Sequence, residues 1–147
     1  MSSNASNFWN RETSQPRNYN ANAPVVKQAK IIALSDPKDP SNAELYKGQL
    51  PEGAELLAVG SCMDDFDMGM LQVKGANVVF VSHSDSREPL ADLLKSIPTI
   101  EWVHTRSAGI DFVTSPTLSQ WAGTVTNAKG HFSSTLAEYA MLACSYL

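Results

Sequence analysis

Cysteine is scarce in this sequence, and long apolar runs are absent. Only Cys62 and Cys144 occur among the 147 residues. Two thiols cannot form a framework of disulfides, so we predict that both are reduced and that the protein is intracellular. No apolar run approaches the roughly 20 residues that a membrane-spanning helix needs. We therefore expect no membrane partner.

The sequence also has few charges, and they are unevenly distributed. Charged residues make up 18% of the chain, and the net charge is −4. Residues 1–30 carry four basic side chains and one acidic side chain, a net +3, which leaves −7 for residues 31–147. Nucleic-acid binding needs clustered Lys and Arg, so we expect no nucleic-acid partner.

Residues 1–28 are rich in Asn and Ser and show no apolar period. Such a segment buries too little apolar surface to offset the entropy lost on ordering, so we predict a disordered tail. We predict a cytoplasmic protein. The basic character of the tail leaves an organelle as the alternative, since transit peptides are also basic and poor in acids.

From residue 29 the sequence alternates short apolar, often β-branched runs with loops and helical spacings. Runs of this kind predict five buried strands: 29–34, 54–59, 76–81, 100–104 and 124–126. Helical patterns lie between them, at 62–73, 86–97 and 116–121. Buried parallel strands with right-handed crossovers predict an α/β fold. We expect a flavodoxin-like, doubly wound parallel sheet of five strands over residues 29–130.

The last segment, residues 131–147, predicts a helix that is apolar on nearly every side. Between Leu136 and Leu147 the only clearly polar side chains are Glu138 and Ser145. Such a helix needs a partner on all sides, so we predict that it crosses to a second domain and that this two-domain architecture is incomplete. Thr135 and Glu138 have the spacing of a capping box.

Ligands in open parallel sheets bind beyond the carboxyl ends of the strands. Four loops are candidate ligand sites: 35–37, 60–61, 82–85 and Ser107-Ala108-Gly109-Ile110. The fourth has the composition that best suits ligand binding. Its small residues let the backbone approach a ligand, and successive N–H groups form a concave anion site. The alternative is a tight turn that merely requires small side chains.

The three histidines, His83, His104 and His131, show no metal-ligand spacing, and we expect no metal site. His104 falls within a predicted strand, which favours a packed or hydrogen-bonded residue. The acidic stretch 63–67 lacks the glycine and the terminal Glu of a calcium loop, so we interpret it as a solvated surface.

Three segments in this order resemble the D-isomer-specific 2-hydroxyacid dehydrogenases, which are NAD(P)-dependent enzymes that interconvert 2-hydroxy and 2-keto acids. They are IEWVHTRSAGID (100–111), TVTNAKG (124–130) and STLAEYAMLA (134–143). The resemblance covers residues 76–147 well, whereas residues 29–75 fit in strand order only. It implies that this chain is the substrate-binding domain of such an enzyme.

The resemblance also implies roles for individual residues. The backbone amides of Ser107, Ala108, Gly109 and Ile110 would hold the substrate carboxylate, and Thr135 and Leu136 would lie near the nicotinamide of NAD or NADP. The catalytic Arg, Glu and His of the family, and its GxGxxG turn, would follow the crossing helix. None of them matches a position in this sequence, so we expect no catalytic residue in the chain and no turnover by the chain alone.

Two other functions remain open. The chain is alternatively a non-catalytic interaction module, similar to corepressors that share the dehydrogenase scaffold, which binds a partner through its last helix. That partner would be a second copy of the chain or a missing C-terminal domain. A free-standing flavodoxin-like or receiver domain is less favoured, because Asp36 has no acidic partner in the sequence pattern.

Overall fold

The computed structural model describes residues 28–39 and 50–145 of the chain. Five strands, four α-helices and one 3-10 turn lie in these residues. In chain order they are β1 (Ala29–Leu34), β2 (Ala54–Gly60), the 3-10 turn (Met63–Asp65), α1 (Met68–Lys74), β3 (Val78–Val81), α2 (Arg87–Ser96), β4 (Trp102–Thr105), α3 (Pro116–Gln120), β5 (Thr124–Asn127) and α4 (Ser133–Ser145). Residues 1–27 of the predicted tail lie outside the described residues.

All five strands are parallel, and their order in the sheet is β2-β1-β3-β4-β5. This is the strand order of a flavodoxin-like sheet. The predicted α/β class and five-stranded parallel sheet are confirmed. Because the strands run in one direction, their carboxyl ends meet at one edge of the sheet, where the four candidate loops begin.

The prediction of a single helix over residues 62–73 is wrong. The chain is extended at Phe66, with φ −115° and ψ 130°, and the Phe66 side chain joins the core. Helix α1 then starts afresh, because the Asp67 carboxylate accepts a hydrogen bond from the Met70 backbone N–H at 2.9 Å. The need to bury Phe66 therefore splits the predicted helix in two.

One face of the sheet carries the core. Side chains alternate along a strand, and the core side contains Ile32 and Leu34 of β1, Val79 and Val81 of β3, and Val103 of β4, all fully buried. They pack with apolar side chains from the helices and connecting turns in one continuous cluster, which includes Leu71, Leu90, Leu93 and Leu118.

The opposite face is aromatic and only half-buried near β4. Phe80, His104 and Thr126 lie side by side in register on β3, β4 and β5. The Phe80 and His104 rings stack with centroids 6.0 Å apart, and Trp102 contacts His104 edge-on at 6.1 Å. This face supplies part of the cleft described below.

Helix α4 forms where a terminal helix is predicted, but none of its described residues is buried. It begins at Ser133, so Thr135 lies within the first turn rather than before it, and the predicted capping box is wrong. Its large apolar side chains are exposed: Leu136 by 64%, Tyr139 by 71% and Met141 by 75%. None of the helices in residues 28–39 and 50–145 is long and apolar enough to cross a membrane.

Candidate functional site

The loops after β1 and β3 hold each other by hydrogen bonds. Ser35 is fully buried and accepts a hydrogen bond from the Ser82 hydroxyl at 2.8 Å. The His83 ring accepts a bond from the Asp85 N–H at Nδ1, at 3.2 Å, and the His83 carbonyl accepts one from the Ser86 hydroxyl. Most polar groups of these two candidate loops therefore serve the turns themselves.

The loop after β2 already contains an anion of the chain's own. The Asp65 carboxylate accepts hydrogen bonds from the backbone N–H of Ser61 at 2.7 Å and of Cys62 at 3.0 Å. These bonds, that from Cys62 first, lower the pKa of the Asp65 carboxyl. A Cβ on Gly60 would overlap the Asp65 Cβ. Glycine is thus needed here for internal packing. Asp64, Asp65 and Asp67 are all exposed, as expected for a solvated acidic stretch, and Asp65 also holds the turn by its hydrogen bonds.

The loop after β4, Ser107-Ala108-Gly109-Ile110 (the 107–110 loop), differs from the other three. Its carbonyl groups are bonded: the Ser107 carbonyl accepts from the Ala128 N–H at 3.2 Å, and the Ala108 carbonyl accepts from the Asn127 side-chain amide at 2.7 Å. None of its four backbone N–H groups donates to an acceptor in the described part of the chain. The loop therefore has bonded carbonyl groups at Ser107 and Ala108 and four backbone N–H groups without an acceptor in the described residues.

Gly109 is not required by the turn. Its φ lies outside the left-handed region, and an added Cβ would meet only the Asp111 carboxylate, at an ordinary contact distance of 3.7 Å. Gly53, Gly75 and Gly130, by contrast, have positive φ values that disfavour other residues. The turn therefore does not require glycine at position 109.

The 107–110 loop is held by residues on both sides. Before it, the Arg106 N–H donates to the Val81 carbonyl at 2.9 Å, and the fully buried Thr105 hydroxyl donates to the Ser107 carbonyl at 3.2 Å. After it, the Asp111 carbonyl accepts a bond from the Arg87 guanidinium at 2.8 Å. These contacts fix the loop at the carboxyl edge of β4, in the position from which parallel sheets bind ligands.

Beside the loop is an open cleft of about 590 Å3 between the ends of β4 and β5 and the start of α4. We call it the basic cleft, and it is lined by His104, Arg106, Asn127, Ala128, Lys129, His131 and Phe132. The lining contains two cationic side chains and two imidazoles, and no Asp or Glu. Such a lining favours an anionic ligand.

His104 is held by a chain of hydrogen bonds across the sheet. The Thr126 hydroxyl accepts from the Trp102 indole N–H at 2.8 Å and lies 2.8 Å from His104 Nδ1. Burial lowers the pKa of His104, which favours the neutral ring. Two neutral arrangements satisfy all three groups: the Thr126 hydroxyl donates to Nδ1 and Nε2 carries the hydrogen, or Nδ1–H donates to the Thr126 oxygen. The prediction of a hydrogen-bonded strand histidine is confirmed.

The first turn of α4 contains Thr135 and Leu136, the residues expected near a nicotinamide. Both are exposed and lie just beyond Phe132, which lines the basic cleft. A dinucleotide also needs a glycine-rich turn that opens a helix toward its pyrophosphate. No GxGxxG turn occurs in the sequence, so the described residues do not form a complete NAD or NADP site.

The sequence interpretation missed the basic cleft. His104 and Arg106 lie at the end of β4, and Lys129 and His131 follow β5 at the same spacing of two residues. Pairing of β4 with β5, which puts Thr105 opposite Asn127, brings the two sets together. A search for basic residues beyond the ends of neighbouring predicted strands would have found them.

The described residues contain no group of three or more His, Cys, Asp or Glu side chains placed to hold a metal ion. Comparisons of the chain with models of known protein families, with curated proteins and with solved structures found no match. The sequence motifs, the 107–110 loop and the basic cleft are therefore the features of the chain that bear on its function.

Proposed function

We propose that this chain is the substrate-binding part of an NAD(P)-dependent oxidoreductase that interconverts D-2-hydroxy acids and 2-keto acids. In this proposal the 107–110 loop binds the substrate carboxylate. The observation that carries the proposal is the set of four successive backbone N–H groups with no acceptor in the described residues. It agrees with the role that the sequence resemblance implies for the same residues.

A backbone cradle suits a carboxylate for physical reasons. Successive N–H groups in a concave turn attract an anion without a cationic side chain, and a hydrogen bond to a charged group is worth about 1.5–3 kcal/mol. Two such hydrogen bonds would therefore contribute a binding free energy of about 3–6 kcal/mol to a small carboxylic acid at the loop. The missing Cβ of Gly109 leaves the approach to these donors open.

The loop would serve catalysis by positioning. A 2-keto acid held by its carboxylate has its carbonyl carbon at a fixed distance from the loop, and such fixing of reactants lowers the entropic part of a barrier. Asn127 supports this role, because its side-chain amide donates a hydrogen bond to the Ala108 carbonyl at 2.7 Å and so fixes the loop against the end of β5. Hydride transfer would need a bound nicotinamide cofactor, and the sequence contains no GxGxxG turn to hold one.

Calorimetric titration of the chain tests this proposal. Glyoxylate should bind, whereas glycolaldehyde, which is neutral and of similar size, should not. Gly109→Val should weaken glyoxylate binding at least about tenfold, the effect of about 1.4 kcal/mol, because its side chain covers the donors. Gly69→Val, a matched control in exposed α1, should bind glyoxylate as the unaltered chain does. Equal binding of glyoxylate and glycolaldehyde would refute the carboxylate cradle.

One observation favours a second function. Helix α4 presents exposed apolar side chains on several sides, including Leu136, Tyr139 and Leu142, and an exposed apolar surface of this kind marks an interaction site. The chain would then be a non-catalytic module that binds a partner through α4. Absence of glyoxylate binding together with association through α4 would favour this alternative.

A further inference from the structure

The basic cleft has a charge that the carboxylate cradle does not use. Arg106 and Lys129 line it together with His104 and His131, and no acidic side chain is among its lining residues. The chain as a whole is acidic, with a net charge of −4. The charge of the cleft is therefore opposite in sign to that of the whole chain. Its volume of about 590 Å3 lies within the range of small-ligand pockets.

The cleft and the 107–110 loop share a wall. Asn127 lines the cleft, and its side-chain amide bonds to the Ala108 carbonyl at 2.7 Å. Ala128, also in the lining, donates its backbone N–H to the Ser107 carbonyl at 3.2 Å. A small molecule with two separated anionic groups can therefore contact the loop with one group and the cleft with the other.

The cleft offers donors of two kinds. Lys129 contributes an ammonium group whose side chain makes no hydrogen bond or ion pair in the described residues. His104 contributes a ring that Thr126 holds in place, and its Nε2 donates a hydrogen bond in the tautomer whose Nδ1 accepts from Thr126. A point charge beside a positioned imidazole suits a second carboxylate or a phosphoryl group.

We propose that the basic cleft binds the second anionic group of the substrate, so that the preferred substrate is a dianionic 2-keto or 2-hydroxy acid, either dicarboxylic or phosphorylated. This inference rests on the proposed function, since it takes the first carboxylate to lie on the 107–110 loop. It adds a selectivity that the loop alone cannot give, because backbone donors to one carboxylate accept every 2-keto acid alike.

The test compares three acids by 15N-resolved NMR titration of the whole chain: glyoxylate, 2-oxoglutarate and phosphonopyruvate. All three should shift the amides of the 107–110 loop, and at least one acid with a second anionic group should also shift Ala128 and Lys129. That acid should bind at least about tenfold more tightly than glyoxylate, since a bond to a charged group is gained. Preference for 2-oxoglutarate would assign a carboxylate to the cleft, and preference for phosphonopyruvate a phosphoryl group.

Charge reversal at the cleft supplies the matched comparison. Lys129→Glu should remove the preference for the acids with a second anionic group. Lys95→Glu makes the same change of charge on exposed α2, outside the cleft, and should leave the preference intact. Equal affinity for all three acids, or the same loss in both variants, would overturn the inference while the proposed function stands. If no amide of the 107–110 loop shifts with any of the three acids, both the inference and the proposed function are overturned.

Discussion

Two glycines that look alike in the sequence have opposite reasons to be glycine. At Gly60 a Cβ would overlap the Asp65 side chain and meet the Phe66 ring at 3.0 Å, whereas at Gly109 it would meet only one carboxylate oxygen at 3.7 Å. Gly60 is thus required by packing. The fold does not require glycine at position 109, and the proposed function gives Gly109 a role in the approach of the carboxylate.

Alanine at these two positions should separate the two roles. We expect Gly60→Ala to destabilise the chain by about 1–3 kcal/mol, the usual cost of overpacking. Gly109→Ala should leave the free energy of unfolding within about 0.5 kcal/mol of the original value. Urea unfolding followed by circular dichroism measures both. A loss at Gly109 as large as that at Gly60 would show that the turn itself needs glycine.

His104 should make the stability of the fold depend on pH. Burial lowers the pKa of His104 in the folded chain, below the value of about 6.5 of an unfolded chain. As the pH falls through 6.5, the unfolded chain therefore takes up a proton that the folded chain resists, and stability is lost. His104→Gln should lose less stability between pH 7 and pH 5 than the original chain does.

The matched control for this prediction is His131→Gln, because His131 is exposed and outside the sheet. Its unfolding free energy should fall between pH 7 and pH 5 as steeply as that of the original chain. Identical slopes for the original chain and His104→Gln, measured by urea unfolding at several pH values, would contradict the assignment of the pH dependence to His104.

At the scale of elements, the turn between β2 and α1 depends on one carboxylate. Asp65 binds the N–H groups of Ser61 and Cys62, and these bonds lower its pKa. Its contribution to stability is therefore present above the unfolded pKa of about 4 and is lost as the pH falls below it. Asp65→Ala should lower the Tm at pH 7 more than at pH 3. Asp64→Ala, an exposed neighbour, should change the Tm little at either pH.

Helix α4 is the element whose surroundings least suit its composition. It spans Ser133–Ser145 with no buried residue, and each large apolar side chain would gain about 1.5–3 kcal/mol on burial. We expect the chain to self-associate through this helix or to be poorly soluble. Leu142→Asp should give a monomer in sedimentation experiments. Ser134→Asp, which adds the same charge at the start of the helix, should not.

At the scale of the whole molecule, the strands could be predicted because each is a short run of apolar, often β-branched residues between polar loops. The helical connections between the strands then predict a parallel sheet. A parallel sheet in turn predicts that the loops after the strands lie together at one edge. The split of the predicted 62–73 helix could not be predicted in this way. It depends on burying Phe66 and on Asp65 and Asp67 binding backbone groups, which are contacts that no periodicity shows.

Only part of the candidate site could be predicted from the sequence. The 107–110 loop could be, because its small side chains and its position after a predicted strand are both visible in the sequence. The bonded carbonyls of the loop and the basic cleft depend on the pairing of β4 with β5, which brings residues about 20 positions apart in the chain into contact.

The whole chain should show no dehydrogenase activity. Its sequence contains no GxGxxG turn, and hydride transfer needs a cofactor held against the substrate. We expect no oxidation of NADH or NADPH above background with glyoxylate or hydroxypyruvate, followed by absorbance. Turnover by this chain would show that it holds catalytic groups that our account does not assign.

The central claim is that the four amides of the 107–110 loop hold a carboxylate. Backbone-assigned 15N NMR during titration with glyoxylate tests it most directly, because each donor reports separately. The account predicts saturable shifts that are largest at Ser107, Ala108, Gly109 and Ile110, and none of comparable size with glycolaldehyde. Saturable shifts centred on other residues, or no shift at these four amides, would contradict it.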